Sequence, residues 1–337
     1  MTPFTSVLIV DDESSFRELM TRWVESLGLQ AVTAGDADEA VAALTGRSCD
    51  LAIIDVVMPG KNGLWLAEAL LRDHPQTAVV LATGNAATVA GPAPAIADFL
   101  VKPFRRDRFM LALDRGREWR RHAVEEIEWQ RHLSDEVRDA IADIQAYIRM
   151  ARAKGANEAH ALCQLGFGRI RDVMEHSERV VRYALSIASE LGLDVAQMPL
   201  FEEAARFHDI GKLAMPAAVL KKPSPLTPGE AAIMRSHVSA GADILMSTAT
   251  LQTAAPVVLA SHEWYSGSGY PQRLARAQIP MPSRIIAVAD AYDAMTQDRC
   301  YRSVLDAGEA GSELLRSTPN QFDPDIVTAF LNVLGRH

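Results

Sequence analysis

Val7-Leu8-Ile9-Val10-Asp11-Asp12 is a run of four apolar residues closed by two carboxylates. The arrangement returns within the first 115 residues: Leu51 to Ile54 ends at Asp55, Ala78 to Ala82 at Thr83, and Phe99 to Val101 at Lys102. Ala31 to Thr33 is a weaker run of the same kind. Helix-like stretches lie between them, over Ser14 to Ser26, Asp38 to Leu44 and Leu64 to Arg72. Runs that are apolar on both faces and alternate with helices predict an α/β domain, a doubly wound five-stranded parallel sheet with both faces covered.

Open parallel sheets bind ligands at the carboxyl ends of their strands. Asp11, Asp12, Asp55, Thr83 and Lys102 all fall at such ends. Clustered carboxylates repel unless a hard cation sits among them, and Mg2+ takes oxygen ligands. An aspartate in that setting can act as a nucleophile toward a phosphoryl group, with a lysine and a hydroxyl holding the transferred oxygens. A lone aspartate at a strand end is ordinarily a helix cap. Five matched positions point to chemistry.

The whole chain has 337 residues, enough for about two domains at roughly 150 residues each. Its 48% hydrophobic and 23% charged residues are globular composition. No apolar run is long enough for a membrane span, and no basic, apolar leader opens the sequence. A net charge of -9 disfavours nonspecific nucleic-acid binding, and no recognition-helix motif stands out, so no DNA-binding domain is expected. Cys49, Cys163 and Cys300 are too scattered for a disulfide framework or a zinc site. These features predict a cytoplasmic protein.

Beyond residue 118 the pattern becomes helical. Leu133, Val137, Ile141, Ile144 and Ile148 are spaced 4, 4, 3 and 4, an apolar stripe with Trp119, Ile127 and Trp129 upstream. The stripe reads either as the seam of a homodimer or as a helix lying on its own domain. Further helices are predicted over Ile170 to Leu191, Leu200 to Phe207, Pro228 to Ser247, Ala254 to His262, Ile279 to Met295 and Asp323 to Leu334. His176, His208, His237 and His262 are distributed among them, with Asp209 directly after His208 and Asp290 in an apolar helix pattern. One histidine on an apolar helix is usually a packed core residue. Four, with two aspartates, form a credible transition-metal set, because imidazole with carboxylate suits Mn, Fe, Co, Ni or Zn.

The first half resembles the receiver domain of two-component response regulators over roughly residues 5–118. The resemblance makes Asp55 the phospho-acceptor, served by a cognate sensor histidine kinase. It gives Mg2+ to Asp11, Asp12, Asp55 and the Val57 carbonyl, and the phosphoryl oxygens to Thr83 and Lys102. Met58-Pro59-Gly60 and Gly63 match the loop after the acceptor strand. Phe99 matches a switching aromatic, and Pro103 the proline after the lysine. Thr83 and Lys102 are 19 positions apart, fewer than the family pattern, and Gly91-Pro92-Ala93-Pro94 interrupts the helix between them.

Residues from about 170 to 334 resemble the HD-GYP family of metal-dependent phosphohydrolases. The matching stretches are Phe207-His208-Asp209-Ile210-Gly211-Lys212 and His262-Glu263-Trp264-Tyr265-Ser266-Gly267-Ser268-Gly269-Tyr270-Pro271. Asp290-Ala291-Tyr292-Asp293 and Phe322-Asp323-Pro324 complete the match. The resemblance implies hydrolysis of cyclic di-GMP by transition metals (Fe, Mn or similar) held by Asp172, His176, His208, Asp209, His237, His262 and Asp290, with Asp209 bridging. It assigns the scissile phosphate to Lys212, the other phosphate contacts to Arg299 and Arg302, and the ligand-facing lip to Gly269 and Tyr270. Three positions depart from the family: Ser261 replaces a histidine, Ser266 an aspartate, and Asp172 a glutamate. One or two metals are therefore expected rather than three. The departures leave two readings, a phosphodiesterase controlled at Asp55 or an impaired domain that senses cyclic di-GMP or binds a protein. The domains expected are a receiver over 1–118, a helical linker over 119–165, and an output domain over 166–337.

Overall fold

The computed structural model describes residues 4–84, 96–198, 200–297 and 304–335. They fall into two units, 1–129 and 130–337.

The first unit is a parallel sheet in the order β2-β1-β3-β4-β5. The strands are β1 (Ser6–Val10), β2 (Gln30–Ala34), β3 (Leu51–Asp55), β4 (Ala78–Thr83) and β5 (Asp98–Val101). β1, β3 and β4 are buried almost throughout, as runs apolar on both faces require. The helices α1 (Ser14–Glu25), α2 (Ala37–Ala43) and α3 (Gly63–Asp73) join the strands. One core, with Leu8, Ile54 and Leu81, lies on one face of the sheet, and another, with Ile9, Ile53 and Phe109, on the other. The expected break at Gly91-Pro92-Ala93-Pro94 lies outside the described residues.

The register sets the chemistry. Val10 pairs with Ile54, so Asp11 and Asp55 leave neighbouring strands side by side. Thr83 pairs with Val101, so Lys102 follows at the same edge. The strand order reverses between β1 and β3, where an open sheet offers its crevice.

α4 (Arg106–Ala153) supplies residues to both units. Phe109 and Leu113 are buried in the first unit's core, with Trp119 packed against it. Val137, Ile144 and Ile148 are buried in the core of the second. Residues 119–153 of the segment expected as a linker belong to this one helix. Of the two readings of the apolar stripe, the packing within the chain matches the second: Val137, Ile144 and Ile148 lie on their own domain, with Ile141 against the same core.

The second unit is helical: α5 (Glu158–Arg169), α6 (Arg171–Glu190), α7 (Phe201–Arg206), α8 (Ala217–Leu220), α9 (Pro228–Arg235), α10 (His237–Met246), α11 (Ala255–Leu259), α12 (Met281–Thr296), α13 (Ala307–Arg316) and α14 (Pro324–Leu334). Its core runs through Val180, Ile187, Phe207, Ile244, Ile286 and Phe330. The single helix predicted over Pro228 to Ser247 is two, divided at Ser236. Thr227 starts α9 with a reciprocal capping box to Glu230, and Pro228 follows at the first helical position. At the division the Ser236 hydroxyl donates to the Ile233 carbonyl, while His237 opens α10.

Candidate functional site

At the sheet's carboxyl edge Asp11, Asp12 and Asp55 each offer an oxygen within 4.8 Å of the others'. Asp11 and Asp55 are buried and Asp12 is exposed, so the group opens to solvent on one side. Lys102 reaches in with its Nζ 2.6 Å from both Asp11 and Asp55. Burial opposes the lysine's charge, but the hydrogen bonds to both aspartates outweigh it and raise its pKa. Burial likewise lifts the Asp11 carboxyl above its usual range. Three carboxylates and one ammonium retain negative charge, as a Mg2+ site of oxygen ligands needs. The Val57 N–H donates to Asp55 at 3.2 Å, which holds the acceptor loop against the carboxylate. Gly63 closes that loop: a Cβ there would collide with the Asp55 carbonyl oxygen. Thr83 is buried at the end of β4, and its carbonyl accepts the Lys102 N–H at 2.8 Å. Phe99 is exposed, and the Lys102–Pro103 bond is cis.

In the second unit two ligand groups share Asp209: His176, His208 and Asp209, and Asp209, His237 and His262. Asp290 joins the first, its Oδ1 lying 3.0 Å from His176 Nε2 and 3.9 Å from His208 Nε2. α6 brings His176, the turn after α7 brings His208 and Asp209, α10 brings His237, the turn after α11 brings His262, and α12 brings Asp290.

The tautomers are fixed from outside. His208 Nδ1 donates to the Ala205 carbonyl at 2.8 Å, and His237 Nδ1 to the Met234 carbonyl at 2.7 Å. His176 Nδ1 meets Asp293 at 2.6 Å, and Arg179 clamps Asp293 through two hydrogen bonds of 2.7 and 2.9 Å. Each of these three rings therefore turns its Nε2 inward. His237 Nε2 lies 3.1 Å from Asp209 Oδ1 and 3.2 Å from His262 Nε2. His237 Nδ1 is committed to the Met234 carbonyl, so Nε2 is the atom it presents to Asp209. Asp209 Oδ1 and His208 Nε2 are buried without a well-aligned hydrogen-bond partner. Lone pairs aimed at one another in a buried space are stable only around a cation, and this donor set of nitrogen and carboxylate fits transition metals.

The electrostatics agree. Burial opposes ionisation of Asp209, but Lys212, His208 and His237 hold its carboxyl well below the usual range. Asp290 is likewise depressed, chiefly by His176 against the cost of burial. Burial opposes the charged form of His176, but Asp290 and Asp293 overcome it and raise its pKa to about 9. Burial, then His237, pushes His262 down to about 4. Lys212 stands 2.5 Å from Asp209, at the edge of the centre. Gly211 permits the arrangement, since a Cβ there would strike the His237 carbonyl.

The lip follows His262. The Tyr270 N–H donates to the His262 carbonyl at 3.2 Å, and the two rings lie 5.3 Å apart at 7°. Glu263 accepts the Gln272 and Leu274 N–H groups at 2.6 and 3.1 Å and ties the loop shut. Gly269 packs where a Cβ would collide with the Trp264 nitrogen.

Some expected ligands are not brought together. Asp172 is exposed on the first turn of α6 and belongs to neither metal group among the described residues. Ser261 is 4% exposed and donates its hydroxyl to the Val258 carbonyl at 2.8 Å. Ser266 pairs instead with Ser268 at 3.2 Å. Arg299 and Arg302 lie outside the described residues. Asp293, Arg179 and Glu263 were not expected to have roles. The signal for the first two was spacing: Asp293 follows Asp290 by three, as Arg179 follows His176, so each shares its ligand's helix face.

The family of response regulator receiver domains matches residues 7–114, and that of HD domains residues 167–326. A cyclic di-GMP phosphodiesterase response regulator, RpfG, from Xanthomonas campestris pv. campestris is 32% identical over 97% of this chain and 87% of its own length. A cyclic di-GMP phosphodiesterase from Thermotoga maritima is 29% identical over 97% of this chain and 90% of its own. A 3'3'-cGAMP-specific phosphodiesterase 2 from Vibrio cholerae is 34% identical over 48% of this chain and 32% of its own. Both ligand clusters and both family matches lie on one chain, which aligns with the RpfG response regulator over 97% of its residues. The chain belongs to the response regulators that join a receiver domain to an HD-GYP output domain.

Proposed function

We propose that the chain hydrolyses cyclic di-GMP at the histidine–aspartate centre, under the control of phosphorylation at Asp55. The observation that carries this reading is the pair of three-ligand groups sharing Asp209, with Lys212 beside the shared carboxylate. Two transition metals held there would polarise a phosphodiester and acidify a water. The residues supply the rest. His176, His208 and Asp290 would hold one metal, His237 and His262 the other, and Asp209 both. Lys212 would leave Asp209 for the scissile phosphate once metal charge replaces its own. Tyr270 would form the wall on which the substrate rests. Both ligand groups are complete without Ser261, which favours the enzyme over a sensor that has lost its metals. At the receiver, Asp55 would take a phosphoryl group from a sensor histidine kinase, with Mg2+ on Asp11, Asp12, Asp55 and the Val57 carbonyl.

We place this activity in the cytoplasm. Among the described residues no helix is long and apolar enough to cross a membrane. With the α4 stripe covered, self-association would fall to the receiver face where Phe99 and Val101 are exposed. Full-length protein loaded with Mn2+ or Fe2+ should convert cyclic di-GMP to a linear product, and the chelated protein should not. Binding without conversion in the loaded protein would contradict the reading.

A further inference from the structure

Arg235 ends α9, two residues before the metal-facing His237, so the backbone keeps it within about 7 Å of that residue's Cα. Its guanidinium carbon lies 5.7 Å from the centre of the Tyr270 ring. Tyr270 in turn lies parallel to His262. The arginine and the tyrosine are thus tied through the backbone to two different ligands of the same centre and meet each other.

The charge on Arg235 is left open. The buried or half-buried cations around the centre are neutralised, Arg179 by Asp293, Arg206 by Glu178 and Glu202, Arg284 by Asp323 and Lys212 by Asp209. Among the described residues no carboxylate pairs with Arg235, and its side chain is exposed, in a chain of net charge -9. A guanidinium lying over a ring keeps its N–H fork in its own plane, free to bind an anion bidentately.

We propose that Arg235 binds the phosphate of the cyclic dinucleotide that is not being cleaved, in addition to the phosphate contacts that the resemblance gives to Arg299 and Arg302. This rests on the reading of the centre as a cyclic di-GMP hydrolase. The substrate carries two phosphodiesters fixed in one ring, so placing one at the metals fixes the other at a set distance from them. Lys212 serves the inner position, because it touches the shared Asp209. Arg235 serves the outer one, a tyrosine ring removed from His262. Its contribution is to binding, since the outer phosphate gains no charge during cleavage.

The test compares wild type with Arg235→Gln and Arg235→Lys in the full-length, Mn2+-loaded chain. The substrates are cyclic di-GMP and bis(p-nitrophenyl) phosphate, a diester with no second phosphate. Arg235→Gln should raise KM for cyclic di-GMP about tenfold with kcat within about twofold, and lower its efficiency selectively against the small diester. The salt dependence of KM should flatten in Arg235→Gln and persist in Arg235→Lys, which keeps the charge. An unchanged KM would overturn the proposal. So would equal losses on both substrates, which would mean damage through His237, or a raised KM with the salt dependence intact, which would mean a contact to a base. Should wild type not cleave cyclic di-GMP, the functional reading fails by itself. Equilibrium binding of cyclic di-GMP then decides: about tenfold weaker binding by Arg235→Gln supports the contact, and equal affinity, or no binding by wild type, overturns it.

Discussion

The two sites solve opposite charge problems. At the receiver edge three carboxylates crowd together and a lysine on the same sheet edge already lies between two of them. A single hard cation completes that balance, and exposed Asp12 leaves it a path in. In the output domain four imidazoles and two carboxylates converge, and backbone carbonyls or Asp293 hold three rings with Nε2 inward. Two divalent metals would leave that centre with excess positive charge, which suits an anionic diester and an attacking hydroxide. The lesson is that buried charge reports the cofactor: surplus oxygens on one side, surplus lone pairs on the other.

The contrast breaks most sharply at Asp209. Asp209→Asn removes the shared carboxylate, so metal content by elemental analysis should fall and cyclic di-GMP turnover should drop by at least about a thousandfold. Retained turnover would refute the shared ligand. Asp293→Asn tests how far the centre depends on the groups behind it. It weakens the hold on His176 without touching a metal, and should cost about 10 to 100-fold in metal affinity. A titration with Mn2+ reads this directly. Arg179→Ala should move in the same direction by less.

The third test concerns protons in the metal-free protein. His176 has a folded pKa raised to about 9 from the ordinary histidine value of 6.5. Its stabilisation is fully present below about 6.5 and lost as pH climbs toward 9. His262 has a folded pKa lowered to about 4. Protons therefore favour the unfolded chain as pH falls from about 6.5 toward 4. Thermal melts after chelation should show greatest stability near pH 6.5 for these two groups, with a decline on both sides. Metal loading should remove the alkaline decline, because a ligating ring carries no proton at that nitrogen. An alkaline decline identical with and without metal would place His176 outside the centre. The smallest effect is expected at Ser261. Its hydroxyl is already donated to Val258, so Ser261→His should raise metal retention and turnover by less than about tenfold. Elemental analysis alongside a turnover assay checks it, and a larger joint gain would show that the missing imidazole limits the site.

Much of the receiver was legible because strand burial and strand-end chemistry are written in consecutive residues. The runs ending at Asp11, Asp55, Thr83 and Lys102 are the observed strands within a residue or two. The output ligands were legible by type and spacing, and His176, His208, Asp209, His237, His262 and Asp290 do converge. What escaped is what periodicity cannot encode. The stripe on α4 has the same spacing whether a second copy or its own domain covers it. The division at Ser236 depends on side chains taking backbone carbonyls. α13 carries Gly308, Gly311 and Ser312, poor helix formers that hide it, and it is held by the Asp306–Glu309 capping box and the burial of Ala310 and Leu314. The resemblance made Asp172 a ligand, but the first turn of α6 leaves it in solvent.

The most direct measurement follows cyclic di-GMP turnover by the full-length, Mn2+-loaded chain before and after treatment with a small phosphodonor and Mg2+, with intact mass recorded in parallel. The account predicts a phosphoryl adduct and a changed rate in wild type. Asp55→Asn should show neither, while still hydrolysing the dinucleotide. A rate that shifts equally in Asp55→Asn, or a phosphorylated wild type whose rate does not move, would contradict it.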